Sequence, residues 1–131
     1  MYSLLYEHDR LNAATHNALH ELFGVANVAA FEHLAEMVRA GRLVDAGGGD
    51  VYLPHLERLA IPITFIHGAE NACFLPQSTE RTLDALRERN PGVPYRRHLV
   101  PGYGHIDCIF GAEAARDVYP LVVGHLDAVG A

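Results

Sequence analysis

The spacing of apolar residues divides the chain into a helical first part and a mixed second part. Residues 11–24 and 27–41 repeat apolar positions every three or four residues, a pattern that predicts two amphipathic helices. Asn27 occupies the N-cap position of the second helix, and Gly41 follows its last apolar turn. The sequence therefore predicts two bounded helices before the first strand.

The segment that follows these helices predicts loop structure. Residues 45–50, "DAGGGD", are rich in glycine, but they lack the preceding strand and the spacing of a dinucleotide-binding loop. We interpret them as a turn that contacts no flavin or nicotinamide. Residues 51–59 contain Pro54, which limits them to irregular structure or a short helical turn.

The second part alternates between two kinds of pattern. Residues 61–68, "IPITFIHG", are β-branched and apolar, as in a buried parallel strand, and residues 95–101 predict a second strand. Amphipathic helices are predicted over residues 76–90 and over 112–130, with a kink at Pro120. This strand–helix–strand–helix order is typical of a parallel α/β sheet.

Composition and charge exclude some classes of function. The chain has 131 residues, half of them hydrophobic, and a formal net charge of −6. Because no basic cluster stands out, we expect no binding to nucleic acid or to an anionic membrane surface. No apolar run is long enough to span a bilayer, and the first ten residues do not resemble a signal peptide, which predicts a cytoplasmic protein.

Two loops carry the candidate chemistry. Functional groups of open α/β sheets collect at the carboxyl ends of the strands, and residues 67–76 and 102–111 follow the two predicted strands. Glu70 and Asn71 lie in the first of these, the acid loop (residues 67–76), and His105 lies in the second, the histidine loop (residues 102–111). An acid loop followed by a histidine loop is the chain order of the last two members of a serine-hydrolase triad. His105 is therefore the candidate general base, oriented by Asn71 or Glu70.

The nucleophile of such a site is not evident in the chain. The only serines are Ser3, in the N-terminal tail, and Ser78, where the start of a helix predicts a capping role. Neither lies in the strand–turn–helix context of a G-x-S-x-G motif. Cys73 and Cys108 are predicted to be free thiols, and only His105 offers either of them a positive environment.

Two further groups of residues are weaker candidates, one for the acid of the site and one for metal binding. Asp107 is a rival acid for His105, but its position favours a role in bracing the loop. His16 and His20 are four residues apart on one helix face beside Glu21, yet Asn17 replaces the glutamate of the H-E-x-x-H motif. We therefore assign no metal or other cofactor to this chain.

The stretches "IPITFIHGAENACFLPQST" and "RRHLVPGYGHIDCIFGAEAARDVYPLVVGHL" resemble the C-terminal part of α/β-hydrolase-fold lipases of the acid-lipase type. Residues 31–62 resemble the segment that links cap and sheet in those lipases. "GAENACFLP" and "PGYGHIDCIFG" are more similar still to the hydrolase-like C-terminal region of bacterial cholesterol-oxidase-like flavoproteins of the glucose–methanol–choline (GMC) oxidoreductase family. The resemblance covers residues 31–126.

This resemblance implies an α/β protein with a partial α/β-hydrolase fold. Residues 1–60 would form a helical cap-like segment, and residues 61–131 would form the last two strand–helix units. His105 would be the catalytic histidine, and Asp107 would brace its loop. Where the lipases carry their triad aspartate this chain has Asn71, with Glu70 adjacent. An asparagine can orient a histidine but cannot offset imidazolium charge, which predicts weak activity.

The implied function is the histidine half of a lipase- or esterase-like site acting on an ester, a lipid or a sterol. The nucleophile would come from a missing N-terminal part or from another chain, unless this is an inactive remnant. The alternative is a non-catalytic tail of a GMC oxidoreductase, whose FAD site would lie upstream in a longer parent protein. Because two strands leave open sheet edges, we also expect the isolated chain to self-associate.

Overall fold

The computed structural model describes residues 2–22 and 24–130, and the side chains of residues 4–21 and 24–130. The α-helices are α1 Tyr2–Leu5, α2 Ala13–Leu22, α3 Val28–Ala40, α4 Gln77–Arg89, α5 Asp107–Phe110, α6 Ala114–Asp117 and α7 Tyr119–Gly130. The strands are β1 Ile63–Gly68 and β2 Tyr95–Val100. Short 3₁₀ helices span His8–Arg10 and Leu53–Leu59. The protein is therefore of the α/β class, as the sequence predicts.

The two predicted helices of the first part are present, and the limits of α3 are fixed by capping. The side chain of Asn27 accepts a hydrogen bond from the backbone N–H of Ala29 at 2.9 Å. Gly41 ends the helix in the left-handed conformation at φ 63°, which suits a residue without Cβ. The predictions of an Asn27 cap and a Gly41 stop are confirmed.

β1 and β2 form a two-stranded parallel sheet. The register pairs Ile63 with Tyr95 at one end and Gly68 with Val100 at the other. Because the strands are parallel and end together, the loops that follow them leave the same edge of the sheet. The two predicted strands and their parallel arrangement are confirmed.

One core cluster packs α4 against the sheet. Leu83 and Leu86 of α4 and Tyr95 of β2 are buried together, and Leu56 of the 3₁₀ helix packs against them. The 3₁₀ helix contains Pro54 near its start and departs from helical geometry at His55. The short helical turn predicted over residues 51–59 is therefore confirmed.

The helix predicted over residues 112–130 with a kink at Pro120 begins two residues later and is interrupted next to the predicted kink. The structure has α6 at Ala114–Asp117 and a separate α7 from Tyr119, with the break at Val118. Pro120 explains this break, since it has no N–H to donate and its ring would clash with the carbonyl of the preceding helical turn. Val118 instead turns into a second core cluster with Val100, Tyr103 and Ala114.

The N-terminal segment packs directly on the loop that contains His105. The carbonyl of Leu5 accepts hydrogen bonds from the backbone N–H groups of His105 at 3.1 Å and Ile106 at 2.8 Å. Arg10 donates through Nε to the carbonyl of Gly102 at 2.8 Å. Residues from the start of the chain therefore support the histidine loop, which the sequence pattern did not indicate.

In the part of the chain that the structure describes, every helix is too short or too polar to cross a lipid bilayer.

Candidate functional site

The two predicted loops meet at the carboxyl edge of the sheet. The backbone N–H of Ala69 donates to the carbonyl of Val100, and that of Glu70 donates to the carbonyl of Tyr103, both at 2.9 Å. The two loops are in close contact at Gly68, where an added Cβ would stand 2.1 Å from the carbonyl oxygen of Gly104. A glycine at position 68 thus allows the acid loop and the histidine loop to touch.

Asn71 and His105 contact each other across this junction. Nδ2 of Asn71 lies 3.3 Å from Nδ1 of His105. Asn71 is buried and His105 is half-buried, with the Phe74 ring tilted against the imidazole at a centroid distance of 5.1 Å. The structure therefore brings together two of the residues that the sequence singles out.

The amide oxygen of Asn71 is held by its own loop. Oδ1 accepts hydrogen bonds from the backbone N–H groups of Cys73 at 3.0 Å and Phe74 at 2.9 Å. A side-chain oxygen that bonds backbone N–H groups two and three residues later forms an Asx-type turn. This turn fixes the direction in which the amide nitrogen of Asn71 points.

Glu70 has a different position from Asn71. Its side chain is exposed, and Oε1 accepts a hydrogen bond from the backbone N–H of Gly102 at 3.4 Å. Glu70 thus links the two loops through Gly102. Of the two candidates for orienting His105, Asn71 is the one bound to the imidazole.

Asp107 is completely buried at the start of α5. Its Oδ2 accepts hydrogen bonds from the backbone N–H groups of Gly104 at 2.8 Å and Glu7 at 3.4 Å. Asp107 therefore ties the histidine loop to the N-terminal segment, which is the arrangement that a bracing role requires.

Tyr103 anchors the other side of the histidine loop. Its buried hydroxyl donates to Oδ2 of Asp117 at 2.9 Å, and the Arg10 guanidinium lies 4.4 Å from its ring centroid. Burial raises the pKa of Tyr103, and the Asp117 carboxylate adds to the rise. Hydrogen bonds from Arg116 and then from Tyr103 lower the pKa of Asp117. The loop is thus held by a charged cluster next to the second core cluster.

A hydrogen-bond network of side chains on β1, β2 and α4 supports the acid loop, which contains Asn71. His67 is buried, and its Nε2 lies 2.9 Å from the carbonyl oxygen of Phe74. Its Nδ1 lies 3.2 Å from Oγ1 of Thr79, and Oγ1 also accepts a hydrogen bond from Nε of Arg97 at 2.9 Å. The sequence pattern did not indicate these residues, because His67 and Arg97 lie within strands where only the apolar positions were informative.

A cleft of about 760 Å³ opens beside His105. Its walls are mainly apolar side chains of the histidine loop, the acid loop and α7, among them Phe74, Ile109, Tyr119, Val122 and Val123. His105 and Asn71 lie among these residues. The volume is in the range of about 300–1,000 Å³ typical of small-molecule sites, and the mixture of apolar walls with few polar groups is also typical.

The two cysteines lie in different environments. Cys108 lines the cleft, but burial raises the pKa of its thiol to about 11, with a further contribution from Asp107. A thiol with that pKa stays protonated near neutrality and is a poor nucleophile. Cys73 is a free thiol exposed on the surface of the acid loop.

The serines also differ from a hydrolase nucleophile. Ser78 lines the cleft from within α4, whose N-cap is Pro76 without a side-chain cap. The predicted capping role of Ser78 is therefore wrong, because the helix begins one residue before it. Ser3 belongs to α1, and its side chain lies outside the described residues.

The glycine-rich loop over residues 45–50 is closed by hydrogen bonds to its own Asp45. The carboxylate of Asp45 accepts hydrogen bonds from the backbone N–H groups of Gly47 at 2.9 Å and Gly49 at 2.6 Å. A bound phosphate would need the same N–H groups, but the negatively charged Asp45 carboxylate already accepts from them. The loop over residues 45–50 therefore does not fit a dinucleotide. Within residues 2–22 and 24–130, no three histidine, cysteine or acidic side chains are placed to hold a metal ion.

This chain matches no family model, no curated protein and no solved structure.

Proposed function

We propose that this chain is a hydrolase-like module that binds an apolar molecule of the ester, lipid or sterol class in the cleft beside His105. The observation that carries the proposal is the position of a half-buried histidine, held by Asn71, on the wall of a cleft of about 760 Å³. Apolar walls supply affinity for a hydrocarbon body, and one polar group on the wall selects its orientation.

The architecture supports an origin in an α/β-hydrolase-type domain. Asn71 follows β1 and His105 follows β2, and both lie at the carboxyl edge of a parallel sheet. The sequence resemblance to acid lipases and to the hydrolase-like region of GMC flavoproteins includes the same two loops. In this proposal the module is the tail of a longer protein, and any FAD site belongs to the preceding part.

Binding is tested with ethyl hexanoate, a soluble ester, by following amide chemical shifts in NMR spectra of the chain. We expect shifts confined to residues that line the cleft, such as Phe74, Val122 and Val123. A charge in the apolar wall, Val123→Asp, should weaken binding at least tenfold. Val129→Asp is the matched control, because Val129 is a similarly exposed valine on the same helix, outside the cleft.

Shifts scattered over the surface, or equal binding by the two variants, would show that the cleft is not the binding site.

A second candidate function is the acid–base half of a serine hydrolase. It is favoured by the chain order of the Asn71 loop and the His105 loop, which is that of the acid and histidine in α/β-hydrolases. The test is ester turnover by the native protein that carries residues 101–111. Loss of turnover in His105→Ala would support hydrolysis. Absence of turnover in the native protein, or turnover unaffected by that change, would support the binding module alone.

A further inference from the structure

We infer that Asn71 holds neutral His105 with its proton on Nε2, so that the histidine presents a hydrogen-bond donor, and not a base, to the cleft. The inference rests on the proposed function for the ligand it names. It assigns the site a ligand with an acceptor oxygen, such as an ester carbonyl, and it gives His105 a binding role.

The hydrogen bonds of the Asn71 amide define its orientation. The oxygen and nitrogen ends of an asparagine amide are distinguished by their hydrogen-bond partners. Here the partners of one end are the backbone N–H groups of Cys73 and Phe74, which can only donate. That end must be the oxygen, because a flipped amide would set its NH₂ group against two N–H donors. The end that faces His105 is therefore the nitrogen.

The direction of the hydrogen bond from Asn71 determines the tautomer of His105. The amide nitrogen of Asn71 can only donate, so Nδ1 of His105, 3.3 Å away, must accept with its lone pair. A neutral imidazole carries one proton, and with Nδ1 acting as an acceptor that proton sits on Nε2. The two ring nitrogens point in different directions, so Nε2 points away from Asn71.

A histidine with its proton on Nε2 does not suit the role of base in a serine-hydrolase triad. A triad histidine needs a proton on Nδ1, bound by the acid, and a free lone pair on Nε2 that removes the proton of the nucleophile. In such triads, exchange of the acid for its amide lowers kcat by about 10⁴, because the histidine takes the other tautomer. His105 has that other tautomer. It is therefore suited to donate a hydrogen bond to a carbonyl oxygen that enters the apolar cleft.

A single substitution should reverse this arrangement. In Asn71→Asp, one carboxylate oxygen retains the bonds to Cys73 and Phe74, and the other faces Nδ1 as an acceptor. The His105 proton then moves to Nδ1, and Nε2 becomes an acceptor. Glu70→Gln is the matched control, since it exchanges acid and amide at the neighbouring exposed position, whose Oε1 faces Gly102.

The tautomer is measured directly by long-range ¹H–¹⁵N NMR of the histidine rings at pH 8, with the His105 signals identified by their loss in His105→Gln. We expect the protonated-nitrogen shift on Nε2 in the wild type and in Glu70→Gln, and on Nδ1 in Asn71→Asp. If the spectrum of the wild type places the His105 proton on Nδ1, the inference is overturned, whatever ligand binds and whatever the variants show.

The ligand class is measured with two probes of similar chain length, ethyl hexanoate and octylammonium chloride. The ester offers only acceptors and the ammonium offers only donors, so the wild type should bind the ester at least tenfold more tightly. Equal binding of the two probes overturns the assignment of a donor at Nε2. Binding of neither probe overturns the proposed function and the ligand class, whereas the tautomer spectrum still reports on Asn71 independently.

Discussion

The carboxylate of Asp107 accepts the backbone N–H of Gly104 at 2.8 Å, and both residues are buried. In Asp107→Ala the N–H groups of Gly104 and Glu7 lose this acceptor inside the protein. An unsatisfied buried donor costs about 1–3 kcal/mol, so we expect the free energy of unfolding to fall by that amount in urea denaturation.

Asp127→Ala is the control for this change, because Asp127 is an exposed aspartate on α7. Its effect should stay within about 0.5 kcal/mol. Equal loss of stability in the two variants would contradict the bracing role of Asp107.

Gly68 should tolerate no side chain. A Cβ at this position would stand 2.1 Å from the carbonyl oxygen of Gly104 and 2.2 Å from that of Tyr103. Gly68→Ala must separate the two loops, and overpacking of this kind costs about 1–3 kcal/mol. We also expect the amide shifts of the Asn71 and His105 loops to change in NMR spectra.

Gly124→Ala is the matched control, since nothing lies within 4 Å of an added Cβ there. Gly124 is within α7, where alanine is preferred over glycine by about 0.8–1.0 kcal/mol. That variant should be more stable than the wild type. If Gly68→Ala also proves neutral or stabilising, the two loops are not in the close contact described.

Removal of the Tyr103 hydroxyl should produce a pH-dependent loss of stability. Tyr103→Phe removes one of the hydrogen bonds that lower the pKa of Asp117, so that pKa should rise towards its ordinary value of 3.8. A depressed carboxyl pKa stabilises the folded state above the unfolded pKa, and this stabilisation is lost as the pH falls through the folded pKa.

We therefore expect Tyr103→Phe to lower the free energy of unfolding at pH 7 and to approach the wild type below about pH 3.8. Urea denaturation of both proteins between pH 7 and about pH 3 measures the difference in their free energies of unfolding. A difference that is constant with pH would mean that the Tyr103 hydroxyl does not act through Asp117.

The two cysteines should react with alkylating agents in a fixed order. With a pKa of about 11, roughly one Cys108 thiol in a thousand is ionised at pH 8. Exposed Cys73 should therefore be modified first by iodoacetamide. The rate at Cys108 should rise about tenfold per pH unit up to its pKa, as followed by peptide mass spectrometry. Faster reaction of Cys108 at pH 8 would indicate a thiolate in the cleft.

The isolated chain should self-associate through its sheet. β1 and β2 pair only with each other in the described structure, so each strand leaves one edge open. We expect light scattering to give a mass above 14.4 kDa that increases with concentration. Leu99→Lys, which adds charge at an exposed position of β2, should reduce the mass more than Val129→Lys on α7. A monomer with a sharp unfolding transition would contradict this expectation.

The sequence by itself determined the two strands, the longer helices α2, α3 and α4, and the order of the two loops. Strands over 61–68 and 95–101 and a helix over 76–90 follow from local apolar periodicity, which depends only on neighbouring residues. Asn27 and Gly41 marked the limits of α3, because helix capping also depends only on neighbouring residues. Pro120 marked the place of the break in the sequence, but the burial of Val118 in the second core cluster depends on residues distant in the chain.

Only the tertiary structure decided which way the site's hydrogen bonds run. The sequence left Asn71 and Glu70 as alternatives, because adjacent side chains differ in direction only once the loop is folded. The contacts of Asn71 with Cys73, Phe74 and His105, and those of Asp107 with the N-terminal segment, join residues from separate parts of the fold. Residue identity gives a histidine its potential as donor or acceptor, whereas the partner on its other nitrogen decides which of the two it offers.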